Sequence, residues 1–421
     1  MAALAVLCPL LVLALQGSGL WTAALQSPSL VIRVYPAANG VSAAAGVCAG
    51  TSPPSFSAGD VRRALFESAN PKGSTAGATF SRCSSNRTRI TAATSLVAEP
   101  VYLFCSGAND DQQWNIDGCS FEHFLGIAAA ADAALTARGL TLSRFRHRVY
   151  LLPPSDACRG FVGLAQIGCL DAFDCRAWIG PNYWATPQSY VHELSHHLYL
   201  AHAGKYVDNG QGGRAFDQYA DDTCYMGFCC ADRCPNTPHA WQLGWISVQQ
   251  LEGGLARGQA LPVALPSQSL TAAGAGLRVL PAWSPGAPPL FVGYRTRHRG
   301  DAALDPSLAS KVHVYSANIT NQYDSVQTTW QAALEAGGSW EQPGSGLVVR
   351  ATSTGPRAAS VTVCRRGGMQ ETAASCLNEL DWDCNGLAGA ADPACLPLLP
   401  KRTTRRLAAH ETAPSVQHSW E

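Results

Sequence analysis

The segment His192-Glu193-Leu194-Ser195-His196 places two imidazoles four residues apart with a carboxylate beside the first. On a helix that spacing puts both histidines on one face, one turn apart, so both rings can reach the same ion. Zinc takes neutral nitrogen donors of this kind, and a catalytic site keeps one position open for water. Such an ion lowers the pKa of the water to about 7 and polarises a carbonyl. Glu193 then sits where a general base must sit, within reach of that water. The five residues alone are a common pattern, but others agree with them. His202 follows His196 by six residues, the spacing of the longer zinc motif His-Glu-x-x-His-x-x-Gly-x-x-His. Downstream, Asp221-Asp222-Thr223-Cys224-Tyr225-Met226-Gly227 offers a methionine in a polar, turn-forming setting, and Met226 is one of only three methionines in the chain.

The elements around these residues follow from periodicity. Thr186 and Pro187 suit the N-cap and first position of a helix expected to run from Pro187 to about Tyr199. Val191, Leu194 and Leu198 recur at helical spacing and face a core. Ahead of it come strand-like residues 96–105, an alanine-rich helix from Phe121 to Arg138, and the apolar run Arg148-Val149-Tyr150-Leu151-Leu152. Residues 160–169 and 176–180 read as two further short strands, which makes an α/β arrangement. From about Leu261 to Cys364, β-like runs alternate with Gly and Pro turns and suggest a β-sandwich. The expected organisation is a signal peptide (1–24), a leader or pro-segment (25–57), a catalytic domain (58–255), a β-rich accessory domain (256–366), a small Cys/Asp-rich loop (367–396) and a disordered tail (397–421).

The helix, Tyr225-Met226-Gly227 and the segment from Asn236 to Trp245 resemble the gametolysin family of metzincin-type metallopeptidases, secreted green-algal enzymes that degrade cell-wall and matrix glycoproteins. Cys83-Ser84-Ser85-Asn86-Arg87-Thr88, residues 163–169 and the late 346–364 region are similar too, so the resemblance spans roughly Ala58 to Cys364. It implies a metzincin-like zincin catalytic domain, of α/β (α+β) class, followed by a β-sandwich-like domain. Position by position it implies His192, His196 and His202 as zinc ligands, Glu193 as general base, and Met226 as the turn beneath the metal. It also implies that Gly163, Leu164 and Ala165 belong to an edge strand that pairs with extended substrate, and His239, with Trp241, is a candidate for shaping the pocket beyond the cleaved bond, although Trp241 and Trp245, four apart, read first as core. One departure is plain. Tyr199 stands where metzincins place glycine, at the sharp turn that swings the third histidine back; a tyrosine held at positive φ there costs about 1–3 kcal/mol. Asp208 is the substitute donor should His202 fail to arrive, and His197 is expected to point off the metal face.

Composition sets the surroundings. A formal net charge of zero removes any electrostatic reason to expect nucleic acid or an anionic membrane as partner. The apolar run at residues 2–15 is short for a membrane span and reads as a signal peptide. Sixteen dispersed cysteines, of which Cys8 would leave with the signal, fit disulfides in an exported protein. The fifteen left are odd in number; Cys48, in the leader, is a candidate thiolate for blocking the zinc. Asn86-Arg87-Thr88 and Asn318-Ile319-Thr320 are glycosylation triplets. Near the C-terminus, Asp381, Asp383, Asn385 and Asp392 resemble the front of a calcium loop, with acidic positions lost, and admit calcium as a second metal. The expected product is a secreted, monomeric, zinc-dependent endopeptidase acting on a protein or glycoprotein of the extracellular matrix or cell wall. The rival is a secreted matrix or adhesion protein that keeps the fold without turnover, and a zinc enzyme acting on a non-peptide bond is a weaker one.

Overall fold

The structure, a computed structural model, describes residues 28–42, 44, 46–66, 74–109, 112–169 and 175–400. The expected signal peptide and the tail from residue 401 lie outside the described residues. The 25–57 leader does not hold as drawn. Within it, β1 (Ser29–Pro36) is an inner strand of the first sheet. Its run Leu30-Val31-Ile32-Arg33-Val34 is buried throughout, and small residues around it disguise it.

Beside β1 lie β2 (Leu96–Val97) and β3 (Val101–Leu103), both parallel to it; β4 (Ser106–Asn109) and β5 (Gln112–Asn115) form a separate hairpin. On the other side come β6 (His147–Leu151), β8 (Cys175–Ile179) and the antiparallel edge strand β7 (Gly163–Ala165). Parallel strands need both faces covered, and the period-2 alternation shows how. Leu30, Ile32, Tyr150 and Trp178 pack with Phe124, Ile127 and Leu135 of α3 (Phe121–Ala137). Val31, Val149, Leu151 and Ile179 turn the other way, toward α1 (Ala58–Leu65), α2 (Ala76–Cys83) and α4 (Pro187–His196). Each such aliphatic side chain contributes about 1.5–3 kcal/mol when fully buried. Asp132 of α3 fixes that helix on the sheet, accepting from Arg148, Arg176 and the Tyr150 hydroxyl at 2.9, 3.0 and 2.8 Å.

The second sheet crosses the boundary expected at residue 255. Its seven strands run β10 (Arg214–Asp217), β9 (Ala203–Asp208), β16 (Thr328–Leu334), β15 (Lys311–Ser316), β14 (Leu290–Arg295), β13 (Gly276–Val279) and β11 (Val248–Leu251). A four-stranded sheet of β12 (Ala260–Pro266), β19 (Ala358–Arg365), β18 (Leu347–Thr354) and β17 (Ser339–Gln342) packs on it through Leu265, Val292, Val314, Val349 and Val361. α5 (Thr237–Gln242) joins the two parts, and α6 (Ala373–Leu377) belongs to the C-terminal loop.

Among the described residues, seven disulfides join Cys48–Cys105, Cys83–Cys234, Cys119–Cys158, Cys169–Cys175, Cys229–Cys230, Cys364–Cys384 and Cys376–Cys395. Cys48 is therefore committed to Cys105 and offers no thiolate to a metal, so the latency idea built on it falls. Cys224, buried, is the free cysteine among the described residues. Among those residues no helix is long and apolar enough to cross a membrane.

Candidate metal centre

Pro187 occupies the first turn of α4, and the Ser189 hydroxyl, not that of Thr186, bonds near the helix start, donating to the Thr186 carbonyl at 2.7 Å. Val191 and Leu194 press into the core below the first sheet. The helix ends at His196, three residues earlier than expected. There Leu200 N–H donates to the Ser195 carbonyl at 3.2 Å and Tyr199 N–H to the His196 carbonyl at 2.9 Å. This pair of bonds is the Schellman ending, whose left-handed residue is usually glycine. Here it is Tyr199, at φ 67°. The tyrosine adopts the glycine conformation, and the chain returns toward the helix face.

His202 consequently arrives beside the other two. Ring centroids are 4.9 Å apart for His192 and His196, 5.4 Å for His192 and His202, and 4.9 Å for His196 and His202. One ring nitrogen of each lies within 4.8 Å of the others. Each Nδ1 faces an oxygen acceptor: the Tyr225 carbonyl at 3.0 Å for His192, the Leu200 carbonyl at 2.7 Å for His196, and the Gln218 side-chain oxygen at 3.0 Å for His202. An oxygen without a hydrogen requires the proton on Nδ1, so every Nε2 is left as a lone-pair donor. Burial pushes all three pKa values down, to about 3 for His196, which keeps the rings neutral. The arrangement fits a divalent metal.

Glu193 shares the cavity with these rings. It is 3% exposed, and its Oε2 is buried without a hydrogen-bond partner. Burial alone pushes its carboxyl up to about 8. A carboxyl group kept dry and unpaired beside metal-type donors is chemically able to exchange a proton near neutral pH. Met226 is fully buried in the core cluster that also holds Leu194, Leu198 and Leu200. Its carbonyl accepts from Ala203 N–H at 3.0 Å, tying the turn to the residue after His202. Asp221 braces this turn by accepting from Thr223 N–H at 2.8 Å and from Asn236 at 2.9 Å, and Asn236 also donates to Thr328 of β16 at 2.7 Å.

The cavity has a volume of about 410 Å³, within the range of ligand sites. Gly163, Leu164 and Ala165 line it, together with Phe161, Val162, Ile167 and Phe228. Gly163 is there because a Cβ at that position would collide with the Glu193 carboxylate. Tyr219 also lines the cavity, with its ring 4.3 Å from that of His202. Neither Tyr219 nor Phe228 stands in a motif, so spacing gave no sign of them.

The pocket candidates His239 and Trp241 and the reserve donor Asp208 lie outside the cavity, and His197 points off the metal face as expected. His239 is fully buried, its Nδ1 3.4 Å from Cys224 Sγ, and does not line the cavity. Trp241 packs against Phe291 under the Arg278 guanidinium. Asp208 is taken up in accepting from Gly210 N–H at 2.8 Å. His197 faces away, toward His147. The calcium set is also not assembled as expected. Asp381 and Asp383 approach Glu371, while the Asn385 amide donates to Asp383 and Asp392 at 3.2 and 3.0 Å. The Asn385 amide occupies Asp383 and Asp392, while Asp381 Oδ1 stays buried without a partner, so the four expected residues do not form one donor set and calcium is not supported.

Comparison with known proteins agrees with the motif. Residues 43–338 match the gametolysin peptidase M11 family. A curated relative named autolysin, from Chlamydomonas reinhardtii, is 26% identical over 313 residues, with 59% of this chain and 45% of that protein covered. The chain thus spans less than half the length of that relative. No solved structure matches. The family match covers well over half of the chain and contains α4, His202 and the Met226 turn; the chain belongs to the gametolysin peptidase family M11.

Proposed function

We propose that the chain is a secreted zinc metalloendopeptidase with a metzincin-like catalytic centre, cleaving proteins or glycoproteins of a cell wall or extracellular matrix. The observation that carries this reading is the convergence of two buried imidazoles, His192 and His196, and a half-buried one, His202, each with its Nδ1 facing an oxygen acceptor. His192, His196 and His202 would hold zinc through Nε2. When bound, the ion supplies acidification of a water and polarisation of the scissile carbonyl. Glu193 accepts the proton of the attacking water and delivers it to the leaving nitrogen. The β7 edge offers backbone groups to an extended peptide, with Gly163 leaving room for both peptide and carboxylate. Phe161, Leu164 and Phe228 favour an apolar side chain next to the cut bond. The wall or matrix substrate is supported by the name of the autolysin relative and by the disulfide-rich chain, which suits an oxidising exterior.

The test is metal analysis joined to hydrolysis of a broad protein substrate. Wild type is expected to carry one zinc at this centre and to lose activity with a chelator. Glu193→Ala should retain that zinc and lose activity by about 10²–10⁴-fold, the usual contribution of a general base. Equal hydrolysis by both proteins would end the proposed role of Glu193, and zinc bound without any hydrolysis would favour a non-catalytic wall protein.

A further inference from the structure

A second set of metal-type donors lies behind α4, away from the cavity. His197 follows His196, and one residue on a helix turns the side chain by about 100°. Its ring, 1% exposed, stacks on that of His147 at the start of β6, with centroids 5.2 Å apart and planes 13° from parallel. Their Nδ1 atoms are 3.1 Å apart. Cys169 leaves the edge strand and Cys175 opens β8, and the Cys169 sulfur is 3.7 Å from His147 Nδ1. One donor atom from each of His147, Cys169, Cys175 and His197 lies within 4.8 Å of the others, and all four residues are buried. In the structure the two cysteines are joined, with Cα atoms 5.5 Å apart.

A structural disulfide packs well among apolar groups and needs no nitrogen donors around it. Here two imidazoles from different elements converge on the sulfurs. Two sulfurs and two imidazole nitrogens are the donor set of closed structural zinc sites, with Zn–S about 2.3 Å and Zn–N about 2.0–2.1 Å. We propose that Cys169 and Cys175 in their dithiol form, together with His147 and His197, bind a second, structural zinc ion, and that the disulfide is the oxidised alternative of the same site. The chemistry balances. A thiol or phosphine reductant supplies two electrons, two protons are taken up, and the S–S bond becomes two thiols. Zn²⁺ displaces both thiol protons and is held by two thiolates and two neutral imidazoles, so the buried cluster has no net charge. A small-molecule disulfide as oxidant takes up the two electrons and is reduced to two thiolates, which re-forms the Cys169–Cys175 bond and releases Zn²⁺. The site would bear on the proteolytic centre, because Gly168 N–H donates to the His196 carbonyl at 2.9 Å and Cys169 is the next residue.

The test uses the full chain loaded with cobalt(II), which binds both kinds of site and reports its ligands. Three histidines give weak visible bands; two thiolates add an intense sulfur-to-cobalt charge-transfer band in the near ultraviolet. Limited phosphine treatment is followed by alkylation and peptide mass spectrometry, to establish that residues 169 and 175 are thiols while the other pairs stay closed. The expected result is one added metal per chain together with the charge-transfer band. Both should be lost in Cys175→Ser and in His197→Gln, which still allows the disulfide to form in the oxidised chain. Both should persist in His192→Ala, which impairs only the three-histidine site, and in Cys224→Ser, which removes the free thiol. Thiols released at 169 and 175 with no added metal and no band would overturn the proposal. So would a disulfide that resists the reductant until the chain unfolds.

Discussion

At φ 67°, Tyr199 holds the left-handed conformation in which an L side chain crowds the next carbonyl. Its ring offsets part of that cost. A Cβ on Gly168 would strike the Tyr199 ring, and Tyr323 meets it edge-on at 5.2 Å and 84°. Tyrosine in place of the glycine of the longer zinc motif thus keeps the turn and adds an aromatic clamp over the loop that follows β7. Comparing Tyr199→Gly with Tyr199→Ala isolates the backbone, since both remove the ring. The glycine variant should be the more stable by about 1 kcal/mol in denaturant titration, because alanine keeps the strain and loses the compensation. An alanine variant as stable as the glycine one would mean that the turn relaxes and no strain is held there.

Two elements, β7 and α4, meet at Gly163 and Glu193. Gly163→Ala puts a methyl group where the carboxylate now lies, while leaving the three histidines and their Nδ1 partners in place. Zinc content should be unchanged, and kcat/KM should fall on the order of 10²-fold, the effect of displacing a catalytic group by about an ångström. Full activity in this variant would show that Glu193 does not need its present position. Much at this scale was legible beforehand. α3, β6, β14 and β15 stood out as apolar runs bounded by turn residues, and the i, i+4 histidines stood on a helix with a marked start. What was not legible depended on distant partners. β1 was lost among the small residues that precede and follow it. The edge over which Tyr219 and Phe228 lie exists only once the loops after β10 and before α5 fold back across the cavity. His239 has the composition of a pocket residue but is taken into the core by α5, where its Nδ1 faces Cys224.

Over the whole molecule, the metal centre is shared between the two larger sheets. α4 belongs to the first, whereas His202 immediately precedes β9, whose Ala203 and Gly204 pair with Thr328 and Thr329 of β16 in the second. The His202 carbonyl itself accepts from Thr328 N–H at 3.2 Å. A buried ion pair reinforces the link. Arg295, at the end of β14, donates to the Thr223 carbonyl in the methionine turn and is held by Asp301, with Nε 3.0 Å from Oδ2; both side chains are fully buried. Asp301 also accepts from Cys234 N–H at 2.9 Å and the Ser269 hydroxyl at 2.7 Å. Asp301→Asn keeps the shape and removes the charge, leaving a buried guanidinium uncompensated, a change that costs about 3–5 kcal/mol. Because Arg295 reaches the turn under the histidines, this loss should lower the melting temperature and weaken zinc retention in one cooperative transition. Calorimetry with metal analysis across the melt would check it. Two separate transitions, with zinc kept through the first, would show that the later strands fold as an independent domain and that the centre does not depend on them.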